Sequence, residues 1–515
     1  MKHVSFISVA VFVALTPTWT FTQEIDHPNF RASRRHQIPD PDRTTDFWHS
    51  KAQSVIAEKL QRTQLPKTNP AKNVILFLGD GMSVHTVAAT RSLMGDCSKQ
   101  LSFERFPYLG LSKTYCVNRQ VGDSACTATA YLCGVKANSG TIGVNARVPR
   151  SDCQRGQDPA NHVDSIAKWA QDAGKSTGFV TTARVTHASP AGIYAHTADR
   201  KWENDAEIES VGCSAKDNVD IARQLVESPT GRRLNVIMGG GRRNFRNTTV
   251  NDEEGLPGKR IDGRNLIDDW LYDKHMRNVS AKYVWSKKGL NKIDLDRTDH
   301  LLGLFSSSHC PFHGDLRRKY TENADPSLTE MTEAAIRVLQ RNDNGFFLFI
   351  EAGLIDIAHH QTRARKSLED TEELARAVQK AKDMTAEDDT LIVVTSDHSH
   401  TMTINGYAFR DQEITGLVDN VADDGLRYTI LSYANGPGYY NTFSSSQGRS
   451  EITPKQLRDA NFQYTASVPL STETHGGDDV AVFATGPFAQ YFSGNYEQSN
   501  IPAMMARASN IGPFA

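Results

Sequence analysis

Short, continuous apolar runs recur along the chain at 73–78, 178–181, 234–238, 346–350, 391–395 and 480–484, and longer stretches with helical spacing lie around and between them. Those stretches fall at 47–60, immediately after Asp123, and at 163–172, 219–226, 329–341 and 364–382. The first carries apolar positions at Phe47, Val55, Ile56 and Leu60. An apolar run without polar alternation suits a strand buried on both faces, and such strands separated by helices build a mostly parallel sheet. The pattern predicts an α/β fold with a large, mostly parallel central sheet flanked by helices on both faces. From about 405 to 472 it gives way to Gly, Tyr, Ser, Asn and Asp, which predicts a crown-like surface insertion, not a second independent domain. No internal repeat is evident.

The N-terminus changes the picture of where this domain begins. An apolar run at 4–15 follows Lys2 and His3, is too short to span a bilayer, and gives way to polar residues. We expect residues 1–22 to be a secretory signal peptide and 23–515 a single domain. The end, IPAMMARASNIGPFA, lacks the greasy tail of a lipid-anchor signal, so a secreted protein without a transmembrane helix is expected. Export agrees with the sequons at Asn247 and Asn278. Seven cysteines leave at least one that is free or pairs between chains. Because Cys97 and Cys116 bracket a short segment and Cys153 and Cys213 a longer one, these two pairs are the expected disulfides.

Charge excludes one class of partner. With 58 Lys+Arg against 60 Asp+Glu, the 515 residues carry no basic excess to neutralise phosphates of nucleic acid. A mean hydropathy of −0.48 rules out membrane-embedded bulk.

Three of the apolar runs end in acids: Asp80, Glu351 and the pair Asp397-His398. A single strand-end Asp is most often a turn or helix cap. Three such ends on one parallel sheet converge instead on the edge where α/β proteins bind ligands. Asp356 and His360, four apart, share one face of a helical turn, and His475 sits in a glycine-flanked loop. Mixed carboxylate and imidazole sets suit zinc, whereas oxygen-only sets suit magnesium. Ser124 opens a helix after Asp123, where a developing alkoxide is favoured, although Asp123 equally suits a plain N-cap. Arg200 offers a bidentate fork for phosphate, or a surface ion pair.

Taken in order, GDGM at Asp80, DSA..TATAYLCGVKAN around Ser124, THASPAG..AHTADR, MGGGRRNF, FFLFIEAG..D...HH, TSDHSH and THGGDDV resemble the alkaline phosphatases of the animal secreted or cell-surface type, over about 45–488. The resemblance implies a phosphate monoester hydrolase acting by double displacement, with Ser124 as the nucleophile that is transiently phosphorylated. It implies two zinc ions, the first held by Asp356, His360 and His475 and the second by Asp80, Asp397 and His398. A magnesium ion would be shared by Asp80, Ser189 and Glu351. Arg200 would clamp phosphate, with His187 nearby. A homodimer is implied as well, through the helix at 47–60 and the crown.

The chain departs from that family in named places. Ile357 stands where a His usually follows the aspartate of the first zinc site, Cys126 replaces a glycine two residues after the nucleophile, and Ser83 replaces the glycine after GDGM. The extra calcium site usually has a Phe-Glu pair, whereas Phe305 here precedes Ser306; Asp325 persists and Glu253 or Glu254 is a candidate contributor, which leaves calcium doubtful. A phosphodiesterase of the same superfamily and a non-catalytic receptor for phosphate esters are the competing readings. The first usually uses Thr in place of Ser124, and the second has no need of an activated nucleophile.

Overall fold

In the computed structural model, which describes residues 44–63, 67–318, 324–444, 446 and 448–515, the apolar runs form the centre of one large sheet. The strands in chain order are β1 (Asn73–Gly79), β2 (Tyr108–Lys113), β3 (Ser176–Arg184), β4 (Val236–Gly240), β5 (Ala281–Val284), β6 (His300–Leu304), β7 (Phe346–Ala352) and β8 (Thr390–Thr395). They continue with β9 (Ser399–His400), β10 (Met402–Ile404), β11 (Leu431–Gly436), β12 (Phe443–Ser444), β13 (Gly448–Arg449), β14 (Ala466–Pro469), β15 (His475–Gly476), β16 (Val480–Thr485) and β17 (Gly494–Glu497). Ten of them share the order β17-β2-β16-β8-β1-β7-β3-β4-β6-β5. All pairings in this sheet are parallel except those of β16 with β2 and β8.

β1, β7 and β8 are buried at every position, because alternate residues feed two separate cores. Val74, Leu76, Phe347, Phe349 and Val393 pack with the helix Ser124–Cys133 and the helix Asn500–Ser509 on one face. Ile75, Phe77, Leu348, Ile350 and Val394 pack with the helices Leu328–Leu339 and Ala364–Met384 on the other. Burying each such side chain stabilises the fold by roughly 1.5–3 kcal/mol. This is why the central runs carry no polar alternation.

The region from 402 to 469 builds its own sheet, in the order β10-β11-β14. Met402, Leu431, Tyr433, Tyr464 and Ala466 cluster there with Ala89, Ala364 and Leu368, so its apolar residues are spent anchoring it to the helices beneath. The helix Thr45–Thr63 leaves Trp48, Val55, Ile56 and Leu60 exposed.

One disulfide differs from expectation. Cys153 pairs with Cys213, but Cys116 pairs with Cys126, and Cys97 is a free, exposed thiol. After β2 the chain reverses tightly, with Cys116 bridged to Arg119, and returns to start the helix Ser124–Cys133 beside its own starting point. Cys126 therefore lies in a first turn 5.8 Å from Cys116, Cα to Cα. Bracketing in sequence could not show that reversal. Cys133 and Cys310 are buried thiols. The segment 1–22, expected to be a signal peptide, lies outside the described residues.

Candidate active site

The parallel register places Leu78 beside Glu351 on one side and Thr395 on the other. Asp80 and Asp397, two residues further on, therefore meet Glu351 at one edge of the sheet, and all three side chains are completely buried. Gly81, at φ +68, makes the turn after Asp80 possible and donates its N–H to Asp397 Oδ1 at 2.9 Å. A Cβ there would collide with the His400 ring, so both backbone and space require glycine.

Three groups of side chains converge here, each with its ligand atoms within 4.8 Å of one another: Asp80, Asp397 and His398; Asp80, His187 and Glu351; and Asp356, His360, His400 and His475. In the third, Asp356 Oδ1 lies 2.7 Å from His400 Nε2, 3.3 Å from His475 Nε2 and 3.4 Å from His360 Nε2. The other ring nitrogens are tied down. His360 Nδ1 bonds with the Glu473 carbonyl at 2.6 Å and His475 Nδ1 with the Gly122 carbonyl at 2.9 Å, which leaves both Nε2 atoms directed at the centre.

The donor chemistry fits cations. Both oxygens of Asp80, Asp397 Oδ2, Glu351 Oε1, Ser189 Oγ and His187 Nδ1 are buried without a hydrogen-bond partner among the described residues. Uncompensated buried polar atoms are costly, about 1–3 kcal/mol each and more when charged, so such a concentration suits divalent ions. Burial, then repulsion from Asp397, Asp356 and Glu351, drives the Asp80 carboxyl well above its usual range. Burial likewise raises Glu351 to about 7. Burial and the neighbouring His475 push His398 down, and burial and Arg200 push His187 down, so both imidazoles are neutral and able to ligate. Asp356 goes the other way: burial works to raise it, but His360 and its partners hold it well below the usual range.

Ser124 begins its helix with its hydroxyl 3.2 Å from His398 Nε2. Asp123 occupies the N-cap position but makes no side-chain cap. Its carboxylate instead accepts the Gly140 N–H at 2.8 Å and the Arg200 Nη1 at 3.0 Å. Burial, which would lower the Arg200 pKa, is outweighed by Asp123, so the guanidinium stays charged. Its Nη2 lies 3.2 Å from His187 Nε2. All eleven candidate residues from the sequence therefore gather at one sheet edge.

The Alkaline phosphatase family model matches residues 71–511. The chain belongs to the alkaline phosphatase family. It is 48% identical to the membrane-bound alkaline phosphatase of Bombyx mori over 482 residues, 91% of this chain and 86% of that protein. It is 45% identical to the alkaline phosphatase of Gadus morhua, over 92% of this chain and 99% of the relative. The Thermus thermophilus alkaline phosphatase structure, at 22% identity and a TM-score of 0.60, covers 86% of this chain and 92% of its own, which is a likeness of fold. Membership makes the chain a hydrolase, of the class acting on phosphate monoesters.

Sequence reading missed several members of this alkaline phosphatase site. His400 joins the third group, held by Glu473 Oε2 at 2.6 Å on Nδ1. Burial would lower its pKa, but Glu473 and Asp356 raise it to about 10. The signal was there in TSDHSH: His400 lies two residues beyond His398, and the pairing of β9 with β15 sets it opposite His475. The departures from the family find local explanations. Ser83 caps the helix Val84–Leu93, accepting the Thr86 N–H at 3.1 Å. Ile357 is half-buried on the helix Leu354–His360 and does not belong to the apolar cores.

The calcium locus does not fit a cation. The buried Arg242 guanidinium already donates to Asp252 Oδ2 (2.9 Å), the Leu304 carbonyl (2.8 Å) and Glu254, while Ser306 Oγ donates to Asp325.

Proposed function

We propose that this alkaline phosphatase acts by double displacement through a phosphoserine at Ser124. The observation that supports this most directly is a buried serine hydroxyl at a helix N-terminus, against His398 of one acidic group, with Arg200 tied to the preceding Asp123. Helix N–H groups favour the serine alkoxide. The Arg200 fork binds two phosphoryl oxygens, and the Asp123 carboxylate keeps that fork in place. The Ser124 hydroxyl loses its proton to water as its oxygen attacks phosphorus, the ester P–O bond breaks, and the alcohol leaves carrying a proton taken back from water. Water then attacks the phosphoserine, the Ser124–phosphorus bond breaks, one proton of that water returns to the Ser124 oxygen, and inorganic phosphate departs with the other.

Asp356, His360 and His475 suit a first zinc ion, Asp80, Asp397 and His398 a second, and Asp80, Ser189 and Glu351 a magnesium ion, with His187 beside it. Bound there, the ions supply Lewis-acid stabilisation of the entering and leaving oxygens. Release of p-nitrophenolate from p-nitrophenyl phosphate, lost with chelator and restored by zinc and magnesium, tests the activity. No turnover in the metal-loaded protein would overturn it.

The Ile357 departure carries its own prediction. Because this position is not fully buried, Ile357→His adds a donor close to Asp356, and a water-mediated bond to phosphate is worth up to roughly 1–2 kcal/mol, or about five- to thirtyfold in affinity. Inorganic phosphate should inhibit the variant more strongly, KM should fall, and the maximal rate should stay level or drop as product lingers. A lowered melting point with unchanged phosphate inhibition would remove Ile357 from the account.

We infer a homodimer from the exposed apolar positions of the helix Thr45–Thr63. Light scattering should report about twice the chain mass, and a monomer mass would contradict it. Secretion is the proposed destination; no helix among the described residues is long and apolar enough to cross a membrane. Both Asn247, whose Oδ1 accepts the Thr249 hydroxyl at 2.8 Å, and the exposed Asn278 are proposed glycan sites.

A further inference from the structure

We propose that the Cys116–Cys126 disulfide is a positioning device for catalysis, clamping the loop that aims the nucleophile. Its ring, closed over a separation of 10 residues, contains three of the contacts on which the site depends. The Gly122 carbonyl orients His475, the Asp123 carboxylate holds Arg200, and Ser124 carries the nucleophilic oxygen. The sulfurs lie against the middle one: Cys116 Sγ is 3.7 Å from the Asp123 carboxylate and Cys126 Sγ is 3.4 Å from its carbonyl oxygen.

Apart from the disulfide, the strap is held by polar contacts to one neighbouring segment. Tyr115, Val117 and Val121 are exposed; the Val117 N–H donates to the Ala137 carbonyl, the Ser139 N–H to Asn118 Oδ1, Lys136 Nζ to the Tyr115 carbonyl and the Gly140 N–H to the Asp123 carboxylate. The disulfide, packed on Ala137, is the covalent link between the end of β2 and the first turn of the nucleophile helix. Cys153–Cys213 is different in kind. It closes a separation of 60 residues, and although that ring spans His187, Ser189 and Arg200, its cysteines sit in an apolar cluster with Val144, Val148, Ala198, Trp202 and Ile208, whereas Cys116 and Cys126 lie against Asp123 of the nucleophile loop itself. A long ring restrains the unfolded chain more than a short one. The two bonds should therefore separate stability from catalysis.

This inference rests on the proposed role of Ser124, and the test keeps the two apart. The metal-loaded full chain is compared with Cys116→Ala/Cys126→Ala and with Cys153→Ala/Cys213→Ala, well below every melting point. We expect the first double variant to lose about ten- to a hundredfold in kcat, since a displacement near 1 Å has that effect, and to give up zinc faster to EDTA, with a small change in melting point. The second should melt lower with kcat unchanged. If the first variant does not fold, two-electron reduction of the wild-type enzyme by a dithiol replaces it, with mass spectrometry reporting which bond has opened. Activity should then fall with opening of Cys116–Cys126 and return on reoxidation. Wild-type kcat, KM and zinc retention with that bond absent would overturn the inference while leaving the phosphoserine reading intact. An inactive wild type would overturn the reading beneath it.

Discussion

Exchanging Ser124 for Ala should abolish multiple turnover, with kcat falling by roughly three to six orders of magnitude. The change removes a single oxygen from a side chain that is already buried next to Ala125 and Cys126, so the helix, its Gly134 terminus and the packing of Ala128 and Leu132 remain. Melting temperature should hardly move, which separates lost chemistry from lost fold. What disappears is the oxygen placed against His398 Nε2, and with it the covalent half of the reaction. Phosphate esters should still bind, because the Arg200–Asp123 pair is intact. An acid quench with labelled substrate reads the difference directly: phosphate should be trapped on Ser124 in the natural protein and nowhere in the variant. Label on another residue, or a rate like that of the natural protein, would remove Ser124 from its role.

That the acids of the sheet edge stand out in the sequence follows from how the fold is made. β1, β7 and β8 lie between two cores, so their sequences are unbroken apolar runs, and the acid that follows each run marks the sheet edge. Asp356 and His360 follow from helical spacing. β2 did not stand out, because it buries only alternate positions and carries Ser112 and Lys113; β5 is an edge strand with a polar Lys282. Residues whose role depends on contact between distant strands were equally hidden. His400 joins the cluster only because β9 pairs with β15, and Glu473 counts only because its carboxylate reaches His400 and Thr401. The Asp123–Arg200 pair spans 77 residues, and no local pattern separates an N-cap aspartate from one that orients an arginine. His187 and Ser189 are read only through likeness to the family, and for Arg200 that likeness decides between a phosphate fork and a surface ion pair.

Removal of the divalent ions should have the second large effect: loss of activity by at least roughly two orders of magnitude, restored by zinc and magnesium together. The reason lies in the protein. Without cations, Asp80, Asp397 and Glu351 sit buried with unpartnered oxygens, and burial raises all three pKa values. Cations can bind only when these carboxylates are ionised, while burial already keeps His360 and His398 neutral, so metal and proton compete. Zinc added to metal-free protein in weak buffer near pH 7 should therefore release protons, and acid should release the metal as pH falls below neutrality, where protons compete for carboxylates whose pKa values burial has raised, Glu351 at about 7 among them. Because the ions bind the folded chain, each site filled a thousandfold above its Kd stabilises it by about 4 kcal/mol. The chelated protein should accordingly melt at a lower temperature than the loaded one. In an acid titration, activity and bound zinc should vanish together before the circular dichroism of the sheet and helices changes. Activity that survives prolonged chelation, or zinc that leaves only as the fold melts, would refute the placement of the ions at this sheet edge.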